Sequence, residues 1–323
     1  ETVRVPVVPG SDGEIANEDE AVKIANQIGY PVIIKAAAGG GGRGMRVAHN
    51  DISLHGAFAA ARAEAEAAFK NGSLYIEKFI VEPRHVEVQI MADKTGNALH
   101  FYERDCTIQR RHQKLIEESP CPVLDESLRD ELCKAALRVV KEADYVNAGT
   151  VEFLLDKDKN YYFMEVNTRI QVEHPVSEMV TGHDLIKWQL KIAAGQAINL
   201  RQKDIHHTGV ALECRINAED PARNYAPCPG TITRFIPPGG MGVRVDTHLH
   251  QGSIVSPHYD SMVAKVIVHQ KNREEAIATM KRALGEFRIE PIKTTIPACL
   301  DILSHNLYLK SQVDTSFIEQ EMG

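Results

Sequence analysis

The sequence predicts an α+β protein of two domains, on three observations. Strand-like and helix-like stretches are mixed along the chain with no internal repeat and no low-complexity tract. Residues 150–167 read as a hairpin, which calls for antiparallel pairing. Beyond residue 208 the strand patterns come first and the helix patterns last, the order of an α+β unit. With 323 residues, 43% of them hydrophobic and 25% charged, the chain can bury two ordinary cores.

The elements follow in order. Val3 to Val8 is a strand-like run. Asn17 caps a helix with acids in its first turn, apolar spacing through Ala21, Ile24, Ala25 and Ile28, and a stop at Gly29. Pro31 to Lys35 is a buried strand, and Met45 to Ala48 another. Asn50 and Asp51 cap a long alanine-rich helix that ends by Gly72. Leu74 to Ile80 and Arg84 to Met91 alternate like strands. Next come a strand at Ala98 to Glu103, a helix from Glu126 to Ala143, hairpin arms at Thr150 to Asp156 and Asn160 to Asn167, and a helix from His183 to Ala194. The polar segment Asn199 to Thr208 is the natural boundary, with strands near Ala211, Thr231, Arg244 and Val263 and helices near Glu274 and Thr295 beyond it.

Charge excludes some functions. Lys plus Arg total 37 against 44 Asp plus Glu, a net −7, the wrong sign for a dedicated nucleic-acid or anionic-membrane binder, so any anionic ligand must be met locally. There is no apolar run of about 18 residues for a membrane span and no signal-peptide core. Six cysteines, far apart and without a Cys-x-x-Cys pair, fit reduced thiols in a cytoplasmic compartment. The chain opens on Glu1 rather than Met, as a chain cut from something longer would.

Gly39-Gly40-Gly41-Gly42-Arg43-Gly44 is the most conspicuous chemical feature, because residues without Cβ let backbone N–H groups close over phosphate oxygens. A dinucleotide fingerprint would open a helix, whereas Met45 to Ala48 reads as a strand, and no Gly-Lys-Ser/Thr follows for a P-loop. The loop is a phosphate cradle or a hinge. Lys35 favours the cradle, since an unpaired ammonium in an apolar strand needs an anion. In the hairpin, a two-residue turn at Asp158-Lys159 would set Glu152 opposite Glu165, with Asn167 on the same face as Glu165. Two carboxylates and an amide oxygen suit a hard divalent cation, the alternative being an exposed polar face. Downstream, the alternate residues Asn167, Arg169, Gln171 and Glu173 are all polar while Ile170 and Val172 are aliphatic. A guanidinium fork near a carboxylate base would bind a small planar oxyanion, unless the row is a surface ion-pair ladder. The basic run Arg104 to Lys114 lacks interleaved aromatics, so it reads as a local anion site. His248, His250 and His258 read as surface histidines, Cys106 as a buried structural thiol and Trp188 as core or interface.

Four segments converge on one family. Lys35-Ala-Ala-Ala-Gly-Gly-Gly-Gly-Arg-Gly-Met45, Glu103-Arg-Asp-Cys-Thr-Ile-Gln-Arg-Arg-His-Gln-Lys114, Glu165-Val-Asn-Thr-Arg-Ile-Gln-Val-Glu-His-Pro175 and Glu213-Cys-Arg-Ile-Asn-Ala-Glu-Asp-Pro221 resemble, in the right order and over essentially the whole chain, the signatures of biotin carboxylases. The likeness is greatest to the subunit of bacterial acetyl-CoA carboxylase, with the homologous domain of pyruvate or propionyl-CoA carboxylase as the alternative. It implies an ATP-grasp fold over 1–200, with a mobile glycine-rich lid at about 7–79 and an antiparallel-sheet body at about 80–200, and a biotin carboxylase C-terminal domain over 207–316. The family's N-terminal Rossmann-like domain is expected to be absent from this chain.

The same resemblance implies the reaction and its residues. ATP and bicarbonate form carboxyphosphate, which carboxylates the ureido nitrogen of biotin on a carrier protein, the first half-reaction of acetyl-CoA carboxylase by an ATP-dependent ligase. Lys35, Gly41 and Gly42 would contact ATP phosphates, and Glu77, Lys78, Phe79 and Ile80 would hold the adenine, with His85, Gln109 and His112 nearby. Lys114, Arg169 and the backbone of Val172, supported by Gln171, would hold bicarbonate. Glu173 would take its proton, and Arg215 would stabilise the biotin enolate. Glu152, Glu165 and Asn167 would bind two Mg2+ or Mn2+ ions. Phosphoryl transfer needs charge neutralisation and positioning rather than a protein nucleophile, which such a site supplies. A biotin carboxyl carrier protein, carboxyltransferase subunits and a homodimer are the implied partners. Two other readings compete: a carbamoyl-phosphate synthetase half, against which the Glu213 to Pro221 motif and the domain after it speak, and a catalytically silent interaction fragment.

Overall fold

The computed structural model describes residues 3–38 and 45–322. Contacts divide the chain into two compact units, one built on 6–83 with 156–164 and the other on 84–155 with 165–323.

In the first unit, helix α1 (Glu18–Ile28) starts where Asn17 Oδ1 accepts from Glu20 N and stops at Gly29, φ 80°. Strand β1 (Val32–Ala36) lies between β2 (Met45–Ala48) and β3 (Leu74–Lys78), antiparallel to both, with Lys35 opposite Met45 and Tyr75. Helix α2 (Asp51–Phe69) is held at its start by a reciprocal box in which Asn50 and Ser53 each accept from the other's backbone N–H. Val32, Ile34, Leu74 and Ile76 bury against Ala21, Ala25, Leu54, Phe58 and Ala61, so the alternation of the strands and the spacing of the helices meet in one core. Val3 to Val8 is not a strand. It makes a single bridge, Val7 to Phe163, because Pro6 and the left-handed Arg4 (φ 52°) cannot carry a ladder.

The second unit is organised on an eight-stranded sheet. Its strands in chain order are β4 (Arg84–Ala92), β5 (Ala98–Arg110), β6 (Gln113–Ser119), β7 (Asn147–Leu155), the last residues of β8 (Tyr161–Asn167), β9 (Val210–Asn217), β14 (Val243–Thr247) and β16 (Met262–Gln270). Between β9 and β16 lie the short strands β10 (Glu219–Asp220), β11 (Ala226–Pro227), β12 (Gly230–Thr231), β13 (Arg234–Ile236) and β15 (Ile254–Val255). The sheet order is β14-β16-β9-β6-β5-β4-β7-β8. Helices α3 (Glu126–Glu142), α4 (His174–Thr181), α5 (Leu185–Ala193) and α6 (Arg273–Glu286) pack on it. Strand alternation on β9 is clean: Leu212, Cys214 and Ile216 enter the main core with Val266, Met280 and Ala283, while Ala211 on the opposite face packs on Val176 and Val180 of α4. No helix among the described residues is long and apolar enough to cross a membrane.

Three elements depart from the sequence reading. β5 runs on to Arg110 instead of ending at Glu103, and β6 follows it across a turn in which Arg111 (φ 50°) and His112 (φ 65°) are left-handed. The polar residues His100, Glu103 to Asp105, Thr107, Gln109 and Glu117 to Ser119 are buried, so neither strand shows the two-fold alternation that marks a half-exposed strand. Residues 168–173 are irregular and lead into α4, so the alternation of Asn167, Arg169, Gln171 and Glu173 is not that of one strand face.

Candidate active site

Residues opposite each other on neighbouring strands point to the same side of a sheet. Arg104 of β5 pairs with Glu87 of β4, and Glu87 pairs with Glu152 of β7, which sets a cation and two carboxylates in one row. Arg104 is fully buried, and every branch of its guanidinium is used: Nε donates to Glu87 Oε1 (2.7 Å), Nη1 to Gln89 Oε1 (2.6 Å) and Ser177 Oγ (3.1 Å), and Nη2 to Thr150 Oγ1 and Gln171 Oε1 (3.2 Å each). Burial alone would raise the Glu87 carboxyl, but Lys114 and Arg104 outweigh it and hold it well below the usual range.

Lys114 of β6 is the hub. Its Nζ donates to Glu87 Oε2 (2.5 Å), Glu173 Oε1 (2.6 Å) and Glu152 Oε1 (3.1 Å), the three bonds an ammonium can make. Desolvation opposes its charge, and Glu87, with the acids around it, keeps the group charged. Glu173 is the residue that enters α4. It leaves the helix N–H groups uncapped and turns its carboxylate, 2% exposed, toward Lys114 and Arg215. Arg215 of β9 donates from Nη2 to Glu173 Oε2 (3.0 Å) and from Nε to Glu117 Oε1 of β6 (2.5 Å). One buried carboxylate is thereby gripped by an ammonium and a guanidinium, a geometry that presents a base beside two anion-binding cations. Gln171 Nε2 donates to Glu152 Oε1 (2.9 Å), and Lys265 of β16 donates to the Val172 carbonyl (2.6 Å), which anchors the peptide joining Val172 to Glu173.

The other predicted residues make their own local contacts. Lys35 is not unpaired: its Nζ lies 2.5 Å from Glu77 Oε2 and over the Tyr75 ring at 5.8 Å, so the need for an anion that its strand implied is met within the first unit. At the β3 edge the N–H groups of Lys78 and Phe79 donate to the carbonyls of Pro9 and Pro31, and Lys78 Nζ donates to the carbonyls of Gly29 and Tyr30. Ile80, just beyond, is half-buried. Gly41 and Gly42 lie outside the described residues. His85 and Gln109 meet, with 3.0 Å between His85 Nδ1 and Gln109 Nε2. His112 is exposed in the β5–β6 turn. Arg169 is exposed and bonds only Asn167 Oδ1 (3.4 Å) and the Ile170 carbonyl (3.3 Å) among the described residues.

The hairpin turn holds three residues rather than two. Asp156 N donates to Asn160 O (2.9 Å) around Lys157 to Lys159, with Lys159 left-handed at φ 65°. The premise that set Glu152 directly opposite Glu165 therefore fails, since Asp156 has an oxygen for the N–H groups of both Asp158 and Asn160 and stabilises the longer loop. Glu152 is buried while Glu165 is exposed, with Asn167 Nδ2 3.5 Å from Glu165 Oε1.

His85, Glu87 and Glu152 bring ligand atoms within 4.8 Å of one another, as do Glu87, Cys106 and Glu173. Lys114 already sits on Glu87 Oε2, Glu152 Oε1 and Glu173 Oε1, so neither cluster is an open cation site, while Glu152 Oε2 is not taken by Lys114. His85 Nε2 faces Glu152 (3.4 Å) and Glu87 (3.6 Å). Burial pulls the ring's pKa down, but the two acids beside it prevail and push it up to about 9, which favours the charged imidazolium over a metal ligand. Cys106 is a free, buried thiol whose pKa burial raises well above the usual value. Glu87, Glu117, Glu213 and Lys265 were not singled out from the sequence. For Glu87 and Glu213 the signal was a polar residue at every second place of the strand, as in His85-Val-Glu87-Val-Gln89 and Glu213-Cys-Arg215.

Comparison with known proteins identifies the family. Residues 1–201 match the family model "Carbamoyl-phosphate synthase L chain, ATP binding domain", and residues 213–320 match "Biotin carboxylase C-terminal domain". Biotin carboxylase 1 of Bacillus subtilis is 55% identical over 316 residues, covering 98% of this chain and 70% of the relative. The crystal structure of a biotin carboxylase–β-γ-ATP complex from Campylobacter jejuni superposes with a TM-score of 0.94 at 48% identity, over 99% of this chain and 71% of that one. The biotin carboxylase domain dimer of Hydrogenobacter thermophilus 2-oxoglutarate carboxylase, solved with MgADP, ADP and bicarbonate, gives 0.93 at 45% identity over the same shares. The chain has the ATP-grasp fold and belongs to the biotin carboxylase family.

Proposed function

We propose that this chain uses ATP to carboxylate biotin with bicarbonate, by way of carboxyphosphate, as an ATP-dependent ligase of a biotin-dependent carboxylase. The observation that carries this reading is Glu173, buried and held by both Lys114 and Arg215. Bicarbonate at Lys114, Arg169 and the Val172 N–H, with Gln171 in support, gives its proton to Glu173. One of its oxygens then attacks the γ-phosphorus, and the bond to ADP breaks. Carboxyphosphate then breaks to CO2 and phosphate, the phosphate takes the biotin ureido N–H proton, and Arg215, released from Glu173, meets the oxyanion that develops on the ureido group as its nitrogen attacks CO2. Lys35 and Glu77 to Ile80, with His85, Gln109 and His112, are the proposed ATP contacts, and Gly41 and Gly42 the proposed lid. Glu152, Glu165 and Asn167 offer only oxygen donors, and the exposure of Glu165 leaves its carboxylate open to an ion. They fit Mg2+ or Mn2+, which when bound supply charge neutralisation to the nucleotide phosphates.

We divide the chain into an ATP-grasp domain, 1–200, and a C-terminal domain, 207–316, a division supported by the two family matches. A carrier protein bearing the biotin, a carboxyltransferase and a second copy of the chain are the proposed partners. The Hydrogenobacter thermophilus relative, a domain dimer of a carboxylase, supports the last. It also supports a second reading of the final acceptor, in which the chain serves a keto-acid carboxylase rather than acetyl-CoA carboxylase. Six free cysteines support a reducing, cytoplasmic setting. The test is ATP cleavage by the chain with Mg2+, bicarbonate and free biotin. Biotin-stimulated, bicarbonate-dependent release of ADP is expected, and cleavage that needs ammonia or glutamine and ignores biotin would overturn the reading.

A further inference from the structure

Behind Arg215 lies a second pair of carboxylates that the reaction above does not use. Glu117 of β6 and Glu213 of β9 are directly opposite each other, which puts their Cβ atoms about 5 Å apart on one face of the sheet. Both are fully buried. Glu117 Oε1 accepts from Arg215 Nε, but Glu117 Oε2 and both oxygens of Glu213 find no hydrogen-bond partner among the described residues. Three neighbouring buried acceptors without a donor is a costly arrangement, and two like charges at this spacing add to the cost. One proton removes both problems, because a Glu213 carboxyl donates its O–H to Glu117 Oε2 and leaves a single negative charge for Arg215.

We propose that Glu117 and Glu213 share one proton as an acid–carboxylate pair and act as positioning residues, fixing the Arg215 guanidinium from behind while its Nη2 edge is exchanged between Glu173 and biotin. The charged groups around the pair agree. Arg215 and, more weakly, Lys114 face Glu117; Lys265 and Arg215 face Glu213; Glu173 adds negative charge to both, and α4 closes that side with His174 and Glu178. Burial raises Glu117 to about 7 against the opposing pull of Arg215, and burial with the Glu117 charge raises Glu213 far above the usual range. With one shared charge, Arg215 divides evenly between Glu117 and Glu173. With two, the guanidinium is drawn back toward the pair and away from biotin.

This inference rests on the proposed reaction for its kinetic readout but not for its spectroscopic one. Infrared spectra of the full chain at pH 7.5 in D2O are expected to contain the C=O band of a protonated, buried carboxyl that is absent from Glu213→Gln and fades in the parent as the pH is raised. Absence of the band from the folded parent, or its persistence in Glu213→Gln, overturns the proposal. In carboxybiotin formation, Glu213→Gln, whose amide N–H permanently replaces the shared proton, is expected to lose the alkaline fall in rate while the acid limb stays in place. Glu117→Gln is expected to raise KM for biotin about tenfold or more with KM for ATP within about twofold. An unchanged alkaline limb in Glu213→Gln, or equal losses for ATP and biotin in Glu117→Gln, overturns it as well. A band without any biotin carboxylation leaves the pair standing and refutes the proposed reaction instead.

Discussion

Removal of single contacts around Glu173 separates the proposed roles. Arg215→Ala takes away the only guanidinium that Glu173 holds among the described residues, and a fixed charge facing a developing oxyanion is worth about 3 kcal/mol. Carboxybiotin formation is expected to fall by at least about a hundredfold with MgATP affinity within about threefold. A parallel loss of nucleotide affinity, seen by titration calorimetry, would contradict that role. Lys265→Met frees the Val172 carbonyl and so loosens the peptide that joins Val172 to Glu173, next to the proposed bicarbonate contact. KM for bicarbonate is expected to rise about tenfold, or about 1.4 kcal/mol, and KM for ATP to stay put. Residues at this scale were legible from the sequence where a motif carried them, as with Lys114, Glu173 and Arg215. Glu117 and Lys265 were not, because what matters in them is burial and the strand across the sheet, and neither is written in the residue's own neighbourhood.

Elements were legible where local chemistry terminates them. Asn17, Asn50 and Gly29 mark helix ends that the structure reproduces, since each satisfies a backbone group that a helix end leaves open. Asn50→Ala removes half of the α2 capping box and is expected to lower the urea-unfolding free energy by about 1 kcal/mol; no measurable change would show that the box contributes nothing. Buried polar strands were the blind spot. β5 and β6 carry Arg104, Asp105, Glu117 and Glu118 inside, each matched to a partner on another element, so the pattern looks like a solvated loop. Arg84 shows the energetics of such matching. It bonds Asp105 and reaches the carbonyls of Ser311 and Val313, and its loss leaves Asp105 buried without its countercharge. Arg84→Met is expected to destabilise the chain by about 3–5 kcal/mol in chemical denaturation, and a loss under about 1 kcal/mol would contradict this assignment.

Over the whole molecule, the net charge of −7 says little about the interior, where charged side chains are arranged in matched sets. The fold class was legible because alternation and helix spacing survive averaging over long segments, while the reading of Asn167, Arg169, Gln171 and Glu173 as one face failed because a turn leading into a helix spaced its polar residues like a strand. Folding also sets a pH response. His100 is pushed down to about 4 by burial, from an unfolded value near 6.5. The folded chain therefore binds fewer protons than the unfolded chain between these values, so the contribution is intact above pH 6.5 and lost as the pH falls toward 4, by up to about 3 kcal/mol. Urea unfolding of His100→Phe at pH 7 and pH 5 is expected to show a smaller drop than the parent, and an identical drop would assign the acid sensitivity elsewhere.

Transfer of labelled carbon from bicarbonate to free biotin, compared between the parent and Glu173→Gln, tests the role of the carboxylate between Lys114 and Arg215 most directly. ATP-dependent labelling by the parent, a loss of at least about a thousandfold in Glu173→Gln and equal MgATP affinity in both are expected. Labelling that survives in Glu173→Gln within about tenfold would contradict the assignment of the base.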